Sequence, residues 1–246
     1  MSGSRAERFR RARGDPALAV LEGFHALKHA LRFGAEIEEA ATRDPDSLER
    51  LATSLAPDVA GAISGLAEPV EEDVFERLVP RPPATGVVAI ARRPPVDPDG
   101  VAASGSEEPL VLLDRPRRLG NVGAAVRVAA AAGAAGVLAT GRHDPWHPAA
   151  LRGSAGLHFA LPVARVDALP EGDRPRVAID PEGEPISPGV VPAGAALLFG
   201  TERCGLDEAT AERAERRLAI PMRPGVSSLN LATAVAVVLY AWRFAR

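Results

Sequence analysis

The sequence predicts an α/β protein of two domains, and two features of its 246 residues carry this prediction. Short apolar runs alternate with helical patterns along the chain, which is typical of strand–helix units around a sheet. The segment "VDPDGVAASGSEE", 96–108, combines Pro, Gly, Ser and acid without apolar periodicity and predicts a linker. We therefore expect a basic tail at 1–14, a smaller three-layer α/β domain at 15–95 and a larger domain at 109–246.

The smaller domain shows three apolar runs separated by helical patterns. Gly34 ends the first helical pattern, and an acid-and-serine start opens the second. The final run, "TGVVAIAR", has the composition of a buried strand. We expect strands at 17–22, 35–42 and 85–92, and helices at 23–34, 44–56 and 71–80.

The larger domain repeats this alternation with cleaner signals. Its last segment, "SSLNLATAVAVVLYAWRFA", is apolar on nearly all sides of a helix, so we expect it to be buried in a core or against another subunit. A serine before this apolar run is the expected helix cap. We expect strands at 109–114, 135–140, 158–165, 176–180, 195–200 and 218–222, and helices or turns at 121–132, 148–156, 206–218 and from 227 onward.

Composition limits where the protein acts and what it binds. The single Cys204 cannot form an internal disulfide, which favours a reducing cytoplasm. We expect no secretory signal and no membrane span, because the apolar run "LATAVAVVLYAW" is shorter than a bilayer requires. With a net charge of −3, a nucleic-acid partner would depend on local basic patches. The candidates are "RPRRLG" at 115–120 and "RAERFRRARG" at 5–14, which is either such a patch or a solvated tail.

The stretch "LGNVGAAVRVAAAAGAAGVLATG", 119–141, resembles half of a dinucleotide-binding fingerprint. A glycine-bearing turn into a helix offers backbone N–H groups to an anion. The full glycine pattern is absent, however, and Thr140 rather than an acid ends the next strand, which argues against a dinucleotide oxidoreductase. Arg127 follows Asn121 on the same helix, and we expect the two to share a face. Such an arginine either faces solvent or pairs with a phosphate or carboxylate.

Two further stretches join a strand end to a helix. "LLFGTERCGLDEAT", 197–210, places Gly200 and Glu202 after an apolar strand, where ligands of open α/β sheets bind. "LAIPMRPGVSSLNLATA", 218–234, places Asn230 in the first turn of the last helix.

In this order, the three stretches resemble the SpoU (TrmH) branch of the SPOUT RNA methyltransferases. The family patterns are N-x-G-x-x-x-R, G-x-E-x-x-G-L and I-P-M…S-L-N. The segment "DPWHPAALRGSAG", 144–156, is similar to the family's D-x-x-x-P-x-x-x-R-x-S-x-G motif. Residues 17–92 resemble the ribosomal-protein-like domain that precedes such catalytic domains. The residues that match the three patterns are Asn121, Gly123, Arg127, Gly200, Glu202, Gly205, Leu206, Ile220, Pro221, Met222, Ser228, Leu229 and Asn230.

The resemblance implies a SPOUT-type parallel sheet with a C-terminal trefoil knot, although general rules of topology argue against knots. It also implies S-adenosylmethionine as cofactor, structured ribosomal or transfer RNA as substrate, and a homodimer formed through the C-terminal domain. By similarity, the cofactor would be enclosed by Thr140, Gly200, Ile220, Met222 and Leu229.

The resemblance also assigns roles in methylation of a ribose 2′-hydroxyl, a weak acid that must lose its proton. A guanidinium normally stays charged, so we expect Arg127 to orient a phosphate and stabilise the developing alkoxide, with the base left open. Asn121, Ser228 and Asn230 would position the ribose and Arg127, and Glu202 would fix Arg127 or the following loop. The expected RNA contacts are Arg8, Arg10, Arg11, Arg117, Arg118 and Arg152.

Some features depart from the family or leave alternatives open. Ser227, Leu231 and Ala232 replace residues that are common around the S-L-N motif, which affects RNA choice or the rate of methyl transfer. His143 and His147 have no further ligand nearby in sequence, so we expect no metal. The alternative function is an RNA-binding assembly factor that keeps the fold without turnover.

Overall fold

The computed structural model describes residues 2–201 and 205–246, which form two compact units. The first unit comprises residues 1–95 and 146–160, and the second comprises 96–145 and 161–246. The strands are β1 Leu18–Glu22, β2 Ile37–Thr42, β3 Ala67–Pro69, β4 Val87–Arg92, β5 Leu110–Leu113, β6 Gly136–Ala139, β7 Val163–Arg165, β8 Arg176–Pro185, β9 Ala196–Phe199 and β10 Arg216–Ala219. The helices are α1 Ser2–Ala12, α2 Phe24–Arg32, α3 Pro45–Leu55, α4 Ala60–Leu66, α5 Glu72–Leu78, α6 Pro98–Ala103, α7 Leu119–Ala132, α8 Pro148–Ser154, the 3-10 helix Leu157–Ala160, α9 Glu208–Glu212 and α10 Leu231–Arg243.

The first unit is built on a four-stranded mixed sheet in the order β1-β4-β2-β3. Strand β4 pairs antiparallel with both β1 and β2, while β2 and β3 are parallel. Residues 2–12 of the predicted basic tail form α1, which belongs to this core because Phe9 and Ala12 are fully buried among Phe75 and Ile90. The amphipathic spacing leaves Arg8, Arg10 and Arg11 exposed, while Arg5 is half-buried and pairs with Glu39 and Glu68.

Residues 146–160 come from the carboxyl half of the sequence but pack within the first unit. Arg152 of α8 forms an ion pair with Glu22, a carboxylate whose side chain is 1% exposed and which also pairs with Arg13. Gly156 adopts φ +79°, and a Cβ there would lie 2.6 Å from the carbonyl oxygen of Ala26. This motif thus serves the packing of the first unit, although the sequence places it in the larger domain.

The second unit contains a six-stranded sheet in the order β10-β8-β9-β5-β6-β7, with every pairing parallel. The prediction of an α/β fold with a parallel sheet is therefore confirmed. Strands β5, β6 and β9 are buried along their whole length, as expected of a sheet covered on both faces. Helices α7 and α10 pack against each other.

Residues 96–108, for which the sequence predicts a linker, belong to the second unit and contain α6. The reason is Arg174, which is 5% exposed and donates hydrogen bonds to backbone carbonyls on two sides. Its Nη1 lies 2.9 Å from the Glu108 oxygen and 2.8 Å from the Gly194 oxygen. The segment is therefore held to the folded unit by a buried guanidinium.

Several predicted elements differ from the structure. The strand predicted at 218–222 lies at Arg216–Ala219, and the helix predicted from 227 onward begins at Leu231. The predicted strand at 158–165 begins instead with the 3-10 helix, and only Val163–Arg165 forms a strand. The predicted helix at 206–218 ends at Glu212, because residues 216–219 form β10 beside β8. Among the described residues, no helix has both the length and the apolar character needed to cross a bilayer.

Candidate active site

A cavity of about 390 Å³ lies in the second unit, between β8, the loops after β9 and β10, and the start of α10. Its size is within the range of small-molecule sites. Four of the five residues that we expect to hold a cofactor line it, which brings the second and third motifs together around one space. The described lining residues are Ile179, Asp180, Pro181, Phe199, Gly200, Thr201, Gly205, Leu206, Ile220, Met222, Ser227, Ser228, Leu229, Leu231 and Ala234.

The wall beside β9 is formed in part by the backbone of Gly200, Thr201 and Gly205. Thr201 and Gly205 exchange two backbone hydrogen bonds of 2.9 and 3.1 Å. A Cβ on Gly200 would lie 2.0 Å from the carbonyl carbon of Gly205, so only glycine permits this approach. Residues 202–204, which include the predicted Glu202, lie outside the described residues.

Thr140, the fifth expected cofactor residue, lies elsewhere. Its hydroxyl donates to Asp114 Oδ1 at 2.8 Å and accepts from the Arg115 backbone N–H at 2.9 Å. It is buried beside a second cavity of about 340 Å³ and is absent from the lining of the first. The contacts of Thr140 therefore join the ends of β5 and β6.

The structure brings Asn121 of the first motif to Asn230 of the third. Asn230 Nδ2 donates to Asn121 Oδ1 at 3.0 Å. Asn230 Oδ1 accepts from the backbone N–H groups of Ala232 and Thr233, which makes Asn230 the cap of α10. The expectation of a serine cap is therefore wrong, and Ser228 lines the cavity instead. Two motif residues 109 positions apart thus meet at the N-terminus of α10.

Arg127 is exposed on α7, while Asn121 is half-buried. Six residues of helix correspond to about 600°, so the two side chains point about 120° apart rather than along one face. Within residues 2–201 and 205–246, no carboxylate forms an ion pair with Arg127, and it is not among the described residues that line the cavity. Its guanidinium is thus presented to solvent, where a phosphate can reach it.

The arginines that we expect to bind RNA fall into two groups. Arg8 pairs with Glu38 and Glu39 at 3.1 Å each, and Arg152 pairs with the buried Glu22, so both are engaged by carboxylates. The side chains of the other four are exposed on α1 and just before α7: Arg10, Arg11, Arg117 and Arg118.

Sequence reasoning missed Ile179 and Asp180, which contribute to the cavity from β8. The available signal was the ending of the run "RVAID" in an acid, because ligands bind near the carboxyl ends of parallel strands. No group of three or more His, Cys, Asp or Glu side chains suited to a metal ion occurs in the described part of the chain.

Comparison with known structures defines the class of protein. The SpoU methyltransferase AviRb from Streptomyces viridochromogenes, in complex with the cofactor AdoMet, matches with a TM-score of 0.77 and 25% identity over 97% of this chain and 96% of that one. The AdoMet-bound rRNA methyltransferase from Sinorhizobium meliloti matches with a TM-score of 0.74 and 25% identity, covering 98% and 92% of the two chains.

The sequence identifies the family. The model of the SpoU rRNA Methylase family matches residues 108–240, more than half of the chain, and the protein belongs to this family. The 23S rRNA (guanosine(2553)-2'-O)-methyltransferase RlmP of Bacillus subtilis is 27% identical over 229 residues, 90% of this chain and 86% of that protein. The 23S rRNA (uridine(2479)-2'-O)-methyltransferase of Streptomyces viridochromogenes is 33% identical over 169 residues, 63% of this chain and 58% of that protein.

Proposed function

We propose that this protein transfers a methyl group from S-adenosylmethionine to a ribose 2′-hydroxyl of ribosomal RNA in the cytoplasm. The observation that carries the proposal is the cavity in the second unit, where residues of the second and third family motifs meet. Relatives that are named 23S rRNA 2'-O-methyltransferases, and AdoMet-bound structures of the same fold, support it.

The residues around the cavity fit this cofactor. The wall combines apolar side chains with glycine backbone at Gly200 and Gly205 and hydroxyls at Ser227 and Ser228. A nucleoside needs such a mixture, since its base packs against apolar groups and its polar edges reach backbone N–H and C=O groups. When bound, S-adenosylmethionine supplies an electrophilic methyl group on a positively charged sulfur. The trefoil knot of related enzymes stays a prediction for this chain.

The chain's own polar groups would position the attacking hydroxyl. The Asn121–Asn230 hydrogen bond fixes two amides beside the cavity, and Ser228 adds a hydroxyl on its wall. We assign to Arg127 the binding of an RNA phosphate and the stabilisation of negative charge on the ribose oxygen. In this assignment Arg127 remains protonated and a separate base removes the proton.

The RNA surface of each unit follows from its exposed arginines. Arg117 and Arg118 immediately precede α7, whose N-terminal end carries Asn121. On the first unit, Arg10 and Arg11 lie on the outer side of α1, whereas Arg8 and Arg152 are held by carboxylates. We assign phosphate contacts to Arg10, Arg11, Arg117 and Arg118 because their side chains are exposed. Since the net charge of the chain is −3, binding to RNA depends on such local basic groups.

A second copy of the chain would cover the outer side of α10. Val237 and Tyr240 are half-buried there, and Phe244 is 79% exposed, with its ring centroid 5.5 Å from that of Tyr240. An apolar strip of this kind favours association. Light scattering of the wild type and of Phe244→Asp tests this homodimer, and a monomeric wild type would contradict it.

The proposed activity is tested with labelled S-adenosylmethionine and total RNA from cells that lack the protein. The wild type should incorporate label at one ribose, and the adjacent phosphodiester bond should then resist cleavage by alkali. Arg127→Ala should abolish incorporation but leave cofactor affinity within about twofold, since Arg127 is not among the described residues that line the cavity. Arg213→Ala, which removes another exposed arginine of the second unit, is the control. Binding of cofactor and RNA without any transfer by the wild type would instead support an assembly factor.

A further inference from the structure

Asp180 carries the single ionisable side chain among the described residues that line the cavity. Its side chain is 22% exposed, so it is shielded from most of the solvent. Its Oδ1 accepts a hydrogen bond from the Glu182 backbone N–H at 2.9 Å, which fixes the carboxylate at the wall. Neither the sequence motifs nor the named relatives assign it a role.

The neighbourhood of Asp180 leaves its charge only partly balanced. Arg217 Nη1 lies 3.7 Å from Asp180 Oδ2, at the long end of ion-pair distances. The same guanidinium also pairs with Glu208, whose Oε1 lies 3.4 Å from Arg217 Nη2. The other described lining residues carry apolar, glycine or hydroxyl groups and no formal charge. Among the described lining residues, the formal charge that a ligand in this cavity meets is therefore the negative charge of Asp180 on the β8 side.

The two forms of the cofactor differ in charge at one atom. During transfer, the bond between sulfur and methyl breaks with its electron pair staying on sulfur, a bond from the methyl carbon to the ribose oxygen forms, and the hydroxyl proton passes to the separate base. The ligand that enters thus carries a sulfonium cation, and the ligand that leaves is a neutral thioether. A partly shielded carboxylate stabilises the first form more than the second.

On the basis of the proposed function, we propose that Asp180 makes the cavity prefer the charged methyl donor to its neutral by-product. The loss of the positive charge on transfer weakens the ligand's attraction to the β8 wall and promotes release of the by-product. Arg217 opposes this effect because its guanidinium competes for the same carboxylate.

Calorimetric titration of the full chain with three ligands tests the proposal: S-adenosylmethionine, S-adenosylhomocysteine, and the analogue sinefungin, which carries a protonated amine in place of the sulfonium. Asp180→Asn should weaken binding of the two cations by about tenfold and change S-adenosylhomocysteine affinity by less than about twofold. Asparagine keeps an oxygen that can accept from the Glu182 N–H, so the loop geometry is preserved. Glu182→Gln, an exposed carboxylate that does not line the cavity, should change none of the three affinities.

Arg217→Gln provides a variant of opposite sign whose side chain is not among the described lining residues. It should raise the preference for the two cations over S-adenosylhomocysteine. An equal loss for all three ligands in Asp180→Asn would overturn the proposal, because it would mean that the carboxylate serves the ribose or the loop. An unchanged preference in both variants would overturn it as well. If the wild type bound none of the three ligands, the proposed function itself would fail.

Discussion

Replacing Asn230 tests whether the contact between the first and third motifs serves the reaction or only the helix. In Asn230→Ala, α10 loses its cap, which costs about 1 kcal/mol. The hydrogen bond to Asn121 is lost too, and because Asn230 is exposed we take the low end of the range, about 0.5 kcal/mol. We therefore expect the free energy of unfolding to fall by about 1.5 kcal/mol. Asn230→Ser keeps a capping oxygen but cannot reach Asn121, so it should lose only about 0.5 kcal/mol.

The assay separates the two units by their tryptophans. Trp242 lies on α10 of the second unit and Trp146 lies in the first, so urea unfolding in a Trp146→Phe background reports on the second unit alone. Methyl transfer is measured on the same samples, and we expect Asn230→Ser to lose at least about tenfold in kcat despite its small loss of stability. Thr233→Ala, in the same helical turn, is the control.

Two results would refute this reasoning about Asn230. Full methyl transfer by Asn230→Ser would show that the amide contact has no part in the reaction. Unfolding of Asn230→Ala at the wild-type urea concentration would show that the side chain does not cap α10.

Three further changes probe the framework around the site. Arg174→Met should lower the free energy of unfolding of the second unit by at least about 3 kcal/mol, as read by Trp242 fluorescence, because the charge-assisted hydrogen bonds to the Glu108 and Gly194 oxygens alone are worth about 1.5 kcal/mol each. Glu22→Gln should lower that of the first unit by about 3 kcal/mol, as read by Trp146 fluorescence, since two guanidinium groups lose a buried partner. Burial lowers the pKa of His29, so as the pH falls the unfolded chain binds a proton at this histidine before the folded chain does. The free energy of unfolding should therefore decline below the ordinary histidine pKa of about 6.5, and it should decline less steeply in His29→Gln.

Each of these predictions has a control and a contrary outcome. Arg213→Met removes an exposed arginine and should leave the free energy of unfolding unchanged. If Arg174→Met changed the free energy of unfolding no more than Arg213→Met does, the anchoring role of Arg174 would be contradicted. Glu72→Gln removes an exposed carboxylate that pairs with Arg43, and it should cost less than about 0.5 kcal/mol. For His29, unfolding is measured at several pH values between 7.5 and 5, and parallel profiles for the wild type and His29→Gln would rule the histidine out.

Much of the fold was predictable because the local signals agree with the tertiary context. Buried runs such as Leu110–Leu113 and Ala196–Phe199 are strands both by sequence and in the structure. The exception at 206–218 has a physical cause, since Arg216–Ala219 gains strand pairing with β8 that its helical periodicity does not reveal. Likewise α1 looked like a tail because its few apolar residues are buried by partners distant in sequence.

The site was predictable in parts for the same reason. The motif residues Gly200, Ile220 and Leu229 line one cavity, as expected from loops at the ends of neighbouring strands. The contribution of Asp180 depends on the neighbour relation of β8, β9 and β10, which the order of strands along the chain does not disclose. Thr140 shows the converse, because a hydroxyl at a strand end can serve its neighbours instead of a ligand.

The interleaving of residues 146–160 with residues 1–95 has a consequence for how the chain matures and how it can be re-engineered. During synthesis, the amino-terminal unit cannot complete its core until the ribosome has also made β5 and β6, two of the six strands of the second sheet. Deletion of residues 1–95 would leave the buried side chains of Trp146, Leu151 and His158 without the rest of the unit in which they pack. Exchange of this unit between relatives therefore requires transplanting both segments together.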